Sequence, residues 1–406
     1  MGNSINLKKT MLLAALLSLS STTMANSVSQ SDHFAPVATQ KELQGRFWDI
    51  SELDKAFISS APQDMKDGTP VGELALHSKN QDVVMQFAQE VANKKHGDYT
   101  SMLISHQGKL VFESYFLRGR INLPHDQASA VKGYTSLLLG RAIQLGYLTM
   151  ADLHKPLVSF LPQLDAKKFT QGAKNITLHK ALIMSGGLQI PEDKTKELSR
   201  NQNEFSLKTL KKLKGQGFIQ ELLEHSQPIT SESQRYRYGN YNPTLVMQVI
   251  DAVVPSGAEQ FIKKELFNKL GITNFTWANA ISGLPEGGWR ASMTSRDMLK
   301  LAQLVKNNGK WQGEQLISQH YLNKAMQKLI RPVSDWIPDH YSYGYFWYQT
   351  DINVKGKNYN ANIAWGGGGQ RLIIIKELDL TVVITGYDRE DTIFDQIAQR
   401  VVPAFI

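Results

Sequence analysis

The sequence predicts an α/β chain of the α+β type: an antiparallel sheet built from both chain ends and flanked by helices, with a mainly helical subdomain inserted. Three observations carry this expectation. Two β-prone runs, residues 101–105 and 109–116, meet at Gln107-Gly108 and read as a hairpin. A second pair, residues 371–375 and 380–385, is apolar enough for central strands and turns at Lys376-Glu377-Leu378-Asp379. Between the two pairs, over about residues 135–290, the apolar spacing is mainly helical.

From the start of the chain, Lys8 and Lys9 precede the apolar run Met11-Leu12-Leu13-Ala14-Ala15-Leu16-Leu17, and small polar residues lead to Thr23-Met24-Ala25. That order is expected of a secretory signal peptide over residues 1–25, cut after Ala25. Its apolar core is too short to span a bilayer as a helix. With no cysteine there is neither a lipid-attachment thiol nor a disulfide, so the expectation is a periplasmic or secreted domain over residues 26–406 without stable membrane insertion. After the hairpin, helices are expected at residues 135–148, 176–184, 218–225, 242–253 and 294–306. Ser185-Gly186-Gly187 stops the second, and Asp297 stands in the first turn of the last. Residues 193–206 are polar and irregular and read as an exposed insertion.

Hydrophobic residues make up 42% of the chain, enough for a large core. The formal charge is +8, of which the signal peptide carries Lys8 and Lys9. The densest basic run, Lys208, Lys211, Lys212 and Lys214, alternates with Leu207, Leu210 and Leu213, the pattern of a surface helix with a solvated basic face. No nucleic-acid-binding signature accompanies it, so no nucleic-acid partner is expected. The ten histidines lack ligand spacing, and neither a metal nor another cofactor is expected.

The chemistry concentrates in three places. Ser129-Ala130-Val131-Lys132 opens the helical run and puts a hydroxyl and an amine three residues apart on one face, a nucleophile beside its own base. A nucleophile at a helix N-terminus also has backbone N–H groups aimed at the oxyanion it creates. Tyr238-Gly239-Asn240 holds a phenol that can relay a proton and an amide that can bind substrate or steady the lysine. Tyr321-Leu322-Asn323 repeats the spacing inside a helical stretch without a glycine turn and is taken as a decoy. Third, Ala364-Trp365-Gly366-Gly367-Gly368-Gly369-Gln370 runs into a strand, and its glycines offer close approach and unhindered N–H donors, one of which can pair with that of Ser129 as an oxyanion hole.

In this order the three elements resemble the serine β-lactamase and penicillin-binding-protein superfamily, and most closely its class C-like branch of D,D-peptidases, esterases and 6-aminohexanoate-dimer hydrolases. The resemblance covers most of residues 26–406. It also rests on Gly108-Lys109-Leu110-Val111-Phe112-Glu113, Ala181-Leu182-Ile183-Met184-Ser185-Gly186-Gly187-Leu188, Tyr343-Gly344-Tyr345-Phe346-Trp347 and Glu377-Leu378-Asp379-Leu380. It implies a β-lactamase-like fold with Ser129 as nucleophile, Lys132 as base, Tyr238 as proton relay, Asn240 as a substrate contact and Gly367 as the second oxyanion donor. Where penicillin-recognising members carry Lys or His in the third motif, this chain has Ala364, or Trp365 if the glycine run aligns one position later. Neither is a cation, which leaves Arg371 and Arg290 as the cations in question. The expected activity is therefore acyl transfer from a small amide or ester, with a small molecule or peptide as the partner. The alternatives are a β-lactamase or D,D-carboxypeptidase, or a catalytically weak cell-wall binding protein of the same fold. Nothing in the sequence sets the oligomeric state.

Overall fold

Gln107 and Gly108 both adopt positive φ, 52° and 77°, the backbone a two-residue hairpin turn requires. They fold β2 (Tyr99–His106) onto β3 (Lys109–Tyr115), and β1 (Phe57–Ser59) pairs with the free edge of β3. This computed structural model describes residues 34–200 and 202–406, so the expected signal peptide lies outside the described residues. Near the other end of the chain come β4 (Ser342–Tyr343), β5 (Tyr348–Val354), β6 (Lys357–Gly366), β7 (Gln370–Ile375) and β8 (Leu380–Gly386). All eight form one antiparallel sheet in the order β1-β3-β2-β8-β7-β6-β5-β4. The two ends of the chain meet where β8 pairs with β2, Leu380 opposite His106 and Thr385 opposite Ser101. Every residue of β2, β7 and β8 is buried, as the apolar runs require of central strands.

The helices used below are α1 (Gln81–Ala92), α2 (Val131–Gln144), α3 (Glu192–Leu198), α4 (Leu207–Leu213), α5 (Gly217–His225), α6 (Tyr241–Val253) and α7 (Ser295–Lys306). Helix α7 is capped by Thr294, whose hydroxyl accepts from the Asp297 N–H (3.2 Å) and donates to the Asp297 carboxylate (2.9 Å). Residues Ser295 to Val305 are all buried on the sheet, and each polar group facing it is matched. Ser295 meets Ser101 at 2.6 Å, Gln303 donates to Ser105 at 2.9 Å, and Arg296 makes two bonds to Glu113, at 2.8 and 2.7 Å. Helix α2 is buried on all sides from Val131 to Ala142, its polar residues Lys132, Thr135, Ser136 and Arg141 included.

Several expected elements shift. Helix α2 begins at Val131 and stops at Gln144, four residues early at both ends, because it grows directly out of the Ser129 turn and Gly146 (φ 80°) ends it. The helix expected at residues 176–184 shortens to Leu178–Leu182, with Met184 already left-handed at φ 58°. Residues 193–206 are not an irregular insertion: most of their first half forms α3, anchored by the buried Leu198. In α4 the lysine face is solvated as expected, but Leu207 at the first position is 86% exposed and only Leu213 is buried. Lys212 bends back to pair with the buried Glu221.

The Arg296–Glu113 pair yields a stability test. Glu113→Ala leaves a buried guanidinium with, among the described residues, only Asp67, 3.4 Å away, as an ion-pair partner. The expected loss is about 3 kcal/mol, near the low end for breaking a buried pair, read from the urea unfolding curve.

Candidate active site

Ser129 sits in a single tight turn, Ala128–Ala130, that continues into α2. Ala128 before it is held at φ 44°, an unfavourable conformation for a residue with a Cβ. Asp126 accepts from the Ala128 N–H at 2.7 Å. Gln127 donates to the His125 carbonyl (2.7 Å) and accepts from the Tyr134 hydroxyl (2.8 Å), one turn into the helix. His125 and Asp126 also form a strand that pairs with Ala291–Met293, and the Gln127 N–H donates to the Ala291 carbonyl at 2.9 Å. The Ser129 turn and the segment that precedes Ala291 are thereby fixed to each other.

Across that connection lies the lysine. Lys132 is 1% exposed, and its Nζ donates to Ser129 Oγ at 2.9 Å and to the Gly288 carbonyl at 3.0 Å. Burial brings the amine down to about 7, with Glu286 acting weakly in the other direction. The Tyr238 ring centre is 4.8 Å from the same nitrogen. Burial pushes its phenol up to about 12, and the Ser129 hydroxyl beside it offsets part of that rise. An amine that is partly neutral at pH 7 and a firmly protonated phenol therefore flank one hydroxyl, which suits the amine to accept a proton and the phenol to give one. Asn240 is exposed at the start of α6, and a Cβ on Gly288 would lie 3.0 Å from Asn240 Oδ1 and 3.3 Å from Lys132 Nζ. Glycine is what lets these groups converge.

The third element closes the site from the sheet. A Cβ at Gly366 would stand 2.3 Å from the Gln127 carbonyl oxygen and 3.1 Å from the Ala130 nitrogen, so β6 reaches the nucleophile turn only as glycine. Gly367 follows, and among the described residues neither its N–H nor that of Ser129 is spent on another protein group. Ala364 faces α2: a Cβ on Gly133 would touch its methyl at 3.2 Å. Trp365 points to the opposite side, as alternation in a strand demands, and donates to Asp391 at 3.0 Å. The residue at the helix-facing position is thus Ala364. Arg371 is fully buried behind the strand, paired with Asp391 (2.5 Å), stacked on Trp365 (4.1 Å to the ring centre) and bonded to the Gly366 carbonyl (3.1 Å). It does not face the nucleophile. Arg290 is exposed and lies over Trp289.

Tyr321 lies buried in the helix Gln319–Ala325 and bonds Ser136 at 2.8 Å, apart from the dyad. Sequence reasoning missed Gly287 and Gly288, whose carbonyls take hydrogen bonds from Thr135 (2.6 Å) and Lys132. The paired glycines after Pro285-Glu286 were the available signal. It also missed Trp336, which packs edge-on against both Tyr238 (5.2 Å) and Trp365 (5.3 Å).

A family model described as Beta-lactamase matches residues 87–392. Among solved structures, a putative 6-aminohexanoate-dimer hydrolase from Bacillus anthracis is 17% identical, covering 78% of this chain and 81% of its own, with a TM-score of 0.59. A penicillin-binding protein homologue from Caulobacter crescentus is 13% identical over 80% of this chain and 97% of its own (TM-score 0.60). A class C β-lactamase is 15% identical over 80% and 94% (TM-score 0.58). No curated protein sequence matches. At these identities the solved structures show the shared fold, and the fold is β-lactamase-like.

The buried amine predicts a pH profile. Below pH 7 the Lys132 amine is increasingly protonated and cannot take the serine proton, whereas above it the base is free. The rate at which a fluorophosphonate labels Ser129 should therefore rise through a midpoint near 7. A rate flat from pH 5.5 to 8.5 would show that Lys132 is not the base.

Proposed function

Because the chain belongs to the Beta-lactamase family, we propose that it is a serine hydrolase acting through an acyl-enzyme on a small amide or ester. The observation that carries this reading is the 2.9 Å contact between Ser129 Oγ and a buried Lys132 amine brought down to about 7. Ser129 Oγ attacks the substrate carbonyl as Lys132 Nζ takes its proton, giving a tetrahedral oxyanion held by the N–H groups of Ser129 and Gly367. Tyr238 donates its proton to the leaving group as the carbon–heteroatom bond breaks, and is reprotonated from Lys132. Water then attacks the acyl-enzyme, passes through a second oxyanion on the same donors, and releases the acid and free Ser129. Asn240 contacts the substrate beside this centre.

The favoured substrate follows from Ala364. A penicillin needs its carboxylate held by a cation on the helix-facing side of β6, and that position carries a methyl group. A β-lactamase or D,D-carboxypeptidase is accordingly the second reading. The description of one similar structure as a putative 6-aminohexanoate-dimer hydrolase supports an amide among the candidate bonds. A catalytically weak binding protein is disfavoured by the coexistence of a nucleophile, a base of lowered proton affinity and a proton donor in one site. Export to the periplasm or beyond is proposed from the N-terminal sequence. No helix among the described residues is long and apolar enough to cross a membrane.

Ser129→Ala should abolish both ester turnover and fluorophosphonate labelling while the circular dichroism spectrum and melting temperature stay near wild type. Unchanged turnover in the purified variant would remove the proposal. Lys132→Ala should likewise stop acylation at neutral pH; near wild-type acylation would transfer the role of base to Tyr238. Across substrates, kcat/KM for a short nitrophenyl ester should exceed that for benzylpenicillin, and the reverse order would establish the second reading.

A further inference from the structure

A cleft of about 870 Å³ adjoins the dyad, walled by α3, α5, α6 and the segment before the strand Ala291–Met293. Its lining includes Asn240 and Glu286, and Trp289 next to the Gly288 whose carbonyl holds Lys132. Leu198, Phe218 and Ile281, all buried, form an apolar floor. Two exposed arginines, Arg200 and Arg290, line the same cleft, and among the described residues neither guanidinium is in an ion pair. Among the described residues the one acidic group in the lining is Glu286, which is half-buried and forms no ion pair with Arg290, although that guanidinium opposes the upward push of burial on its carboxyl.

We propose that this cleft receives the acyl arm of the substrate and that the arm is an aliphatic chain ending in a carboxylate, bound by Arg290 and Arg200. The proposal rests on the serine hydrolase reading and adds the substrate class to it. The scissile carbonyl would lie at Ser129 with Asn240 beside it, methylene groups would cover Leu198, Phe218 and Ile281, and the terminal anion would be taken by Arg290 and Arg200, whose planar guanidiniums suit a carboxylate. An arm ending in an amine would be repelled by both arginines, and a purely apolar arm would leave both charges unused. The anion recognised here belongs to the acyl half, whereas the carboxylate of a penicillin belongs to the leaving half and falls on the β6 side, where Ala364 stands. A substrate such as a monoamide or monoester of a short dicarboxylic acid satisfies both the presence of Arg290 and the absence of a cation at Ala364.

The test separates binding from turnover. Full-length Ser129→Ala protein, which cannot be acylated, is titrated calorimetrically with succinyl, glutaryl and adipoyl anilides and with the uncharged butyryl, valeryl and hexanoyl anilides. The best carboxylate ligand should bind at least about tenfold tighter than its uncharged counterpart, with the advantage shrinking as salt is raised. Adding Arg290→Gln should remove most of that advantage, Arg200→Gln part of it, and Arg290→Lys should restore some. Equal binding of charged and uncharged arms overturns the proposal, as does no binding of either up to the solubility limit. An advantage untouched by both arginine substitutions overturns it as well. Failure of the wild-type protein to hydrolyse any ester or amide would count against the hydrolase reading alone, since this titration involves no turnover.

Discussion

A lysine amine removed from water beside a serine hydroxyl is the constraint around which this molecule is organised. An ammonium in that position is destabilised by desolvation, and among the described residues the one acidic group acting on Lys132 is Glu286, whose own carboxyl is pushed up by burial. The amine is therefore held by neutral partners, the Ser129 hydroxyl and the Gly288 carbonyl. A carboxylate in close contact would have restored the charge and removed the base. Using a carbonyl as the anchor fixes the nitrogen while leaving its proton affinity low.

That requirement explains architecture well beyond the dyad. Helix α2 has to be buried on all sides to keep water from Lys132, so its other polar groups need internal partners: Thr135 finds the Gly287 carbonyl, Ser136 finds Tyr321, and Arg141 finds the Leu316 carbonyl and Glu265. The short sheet joining His125–Asp126 to Ala291–Met293 brings the Gly288 carbonyl to the lysine across more than 150 residues of chain. The strained Ala128 turn is tolerated because Asp126, Gln127 and Tyr134 over-determine it. Chain ends, helical segment and third motif are all needed to define one serine.

How much of this the sequence disclosed depends on whether the information was local. Ser129 and Lys132 were legible because their spacing is a helical turn, and the β2–β3 and β7–β8 strands because their apolar runs and turns lie together. Strands β5 and β6 were not, since Asn353, Asn358, Asn360 and Asn362 break the apolar alternation that identifies a strand. Helix α3 escaped notice because its one buried side chain, Leu198, follows six consecutive residues without a strongly apolar side chain. Gly288 carries no reactive group, and its contribution, a carbonyl oxygen, becomes visible only once the fold places it. The arginines of the cleft are separated by ninety positions and share no pattern.

The strand beside Ser129 illustrates how a cation can act on backbone that its own side chain stands behind. Ala364 gives the helix-facing side of β6 no charge, yet Arg371 lies behind the same strand and donates to the Gly366 carbonyl. The atom it touches belongs to the peptide unit whose nitrogen is that of Gly367. A peptide is planar, with its N–H directed opposite its C=O, so a guanidinium fixed on the carbonyl side also fixes the direction of the N–H on the other. Arg371 is itself immobilised by Asp391 and by stacking on Trp365, and Asp391 accepts from Trp365 as well. The outward side chain of Trp365, useless as a carboxylate ligand, is thus part of the brace that orients the glycine turn. In this chain the positive charge next to the glycine run stands behind the backbone rather than in front of it, where it sets the direction of the Gly367 N–H and leaves the helix-facing side of β6 uncharged.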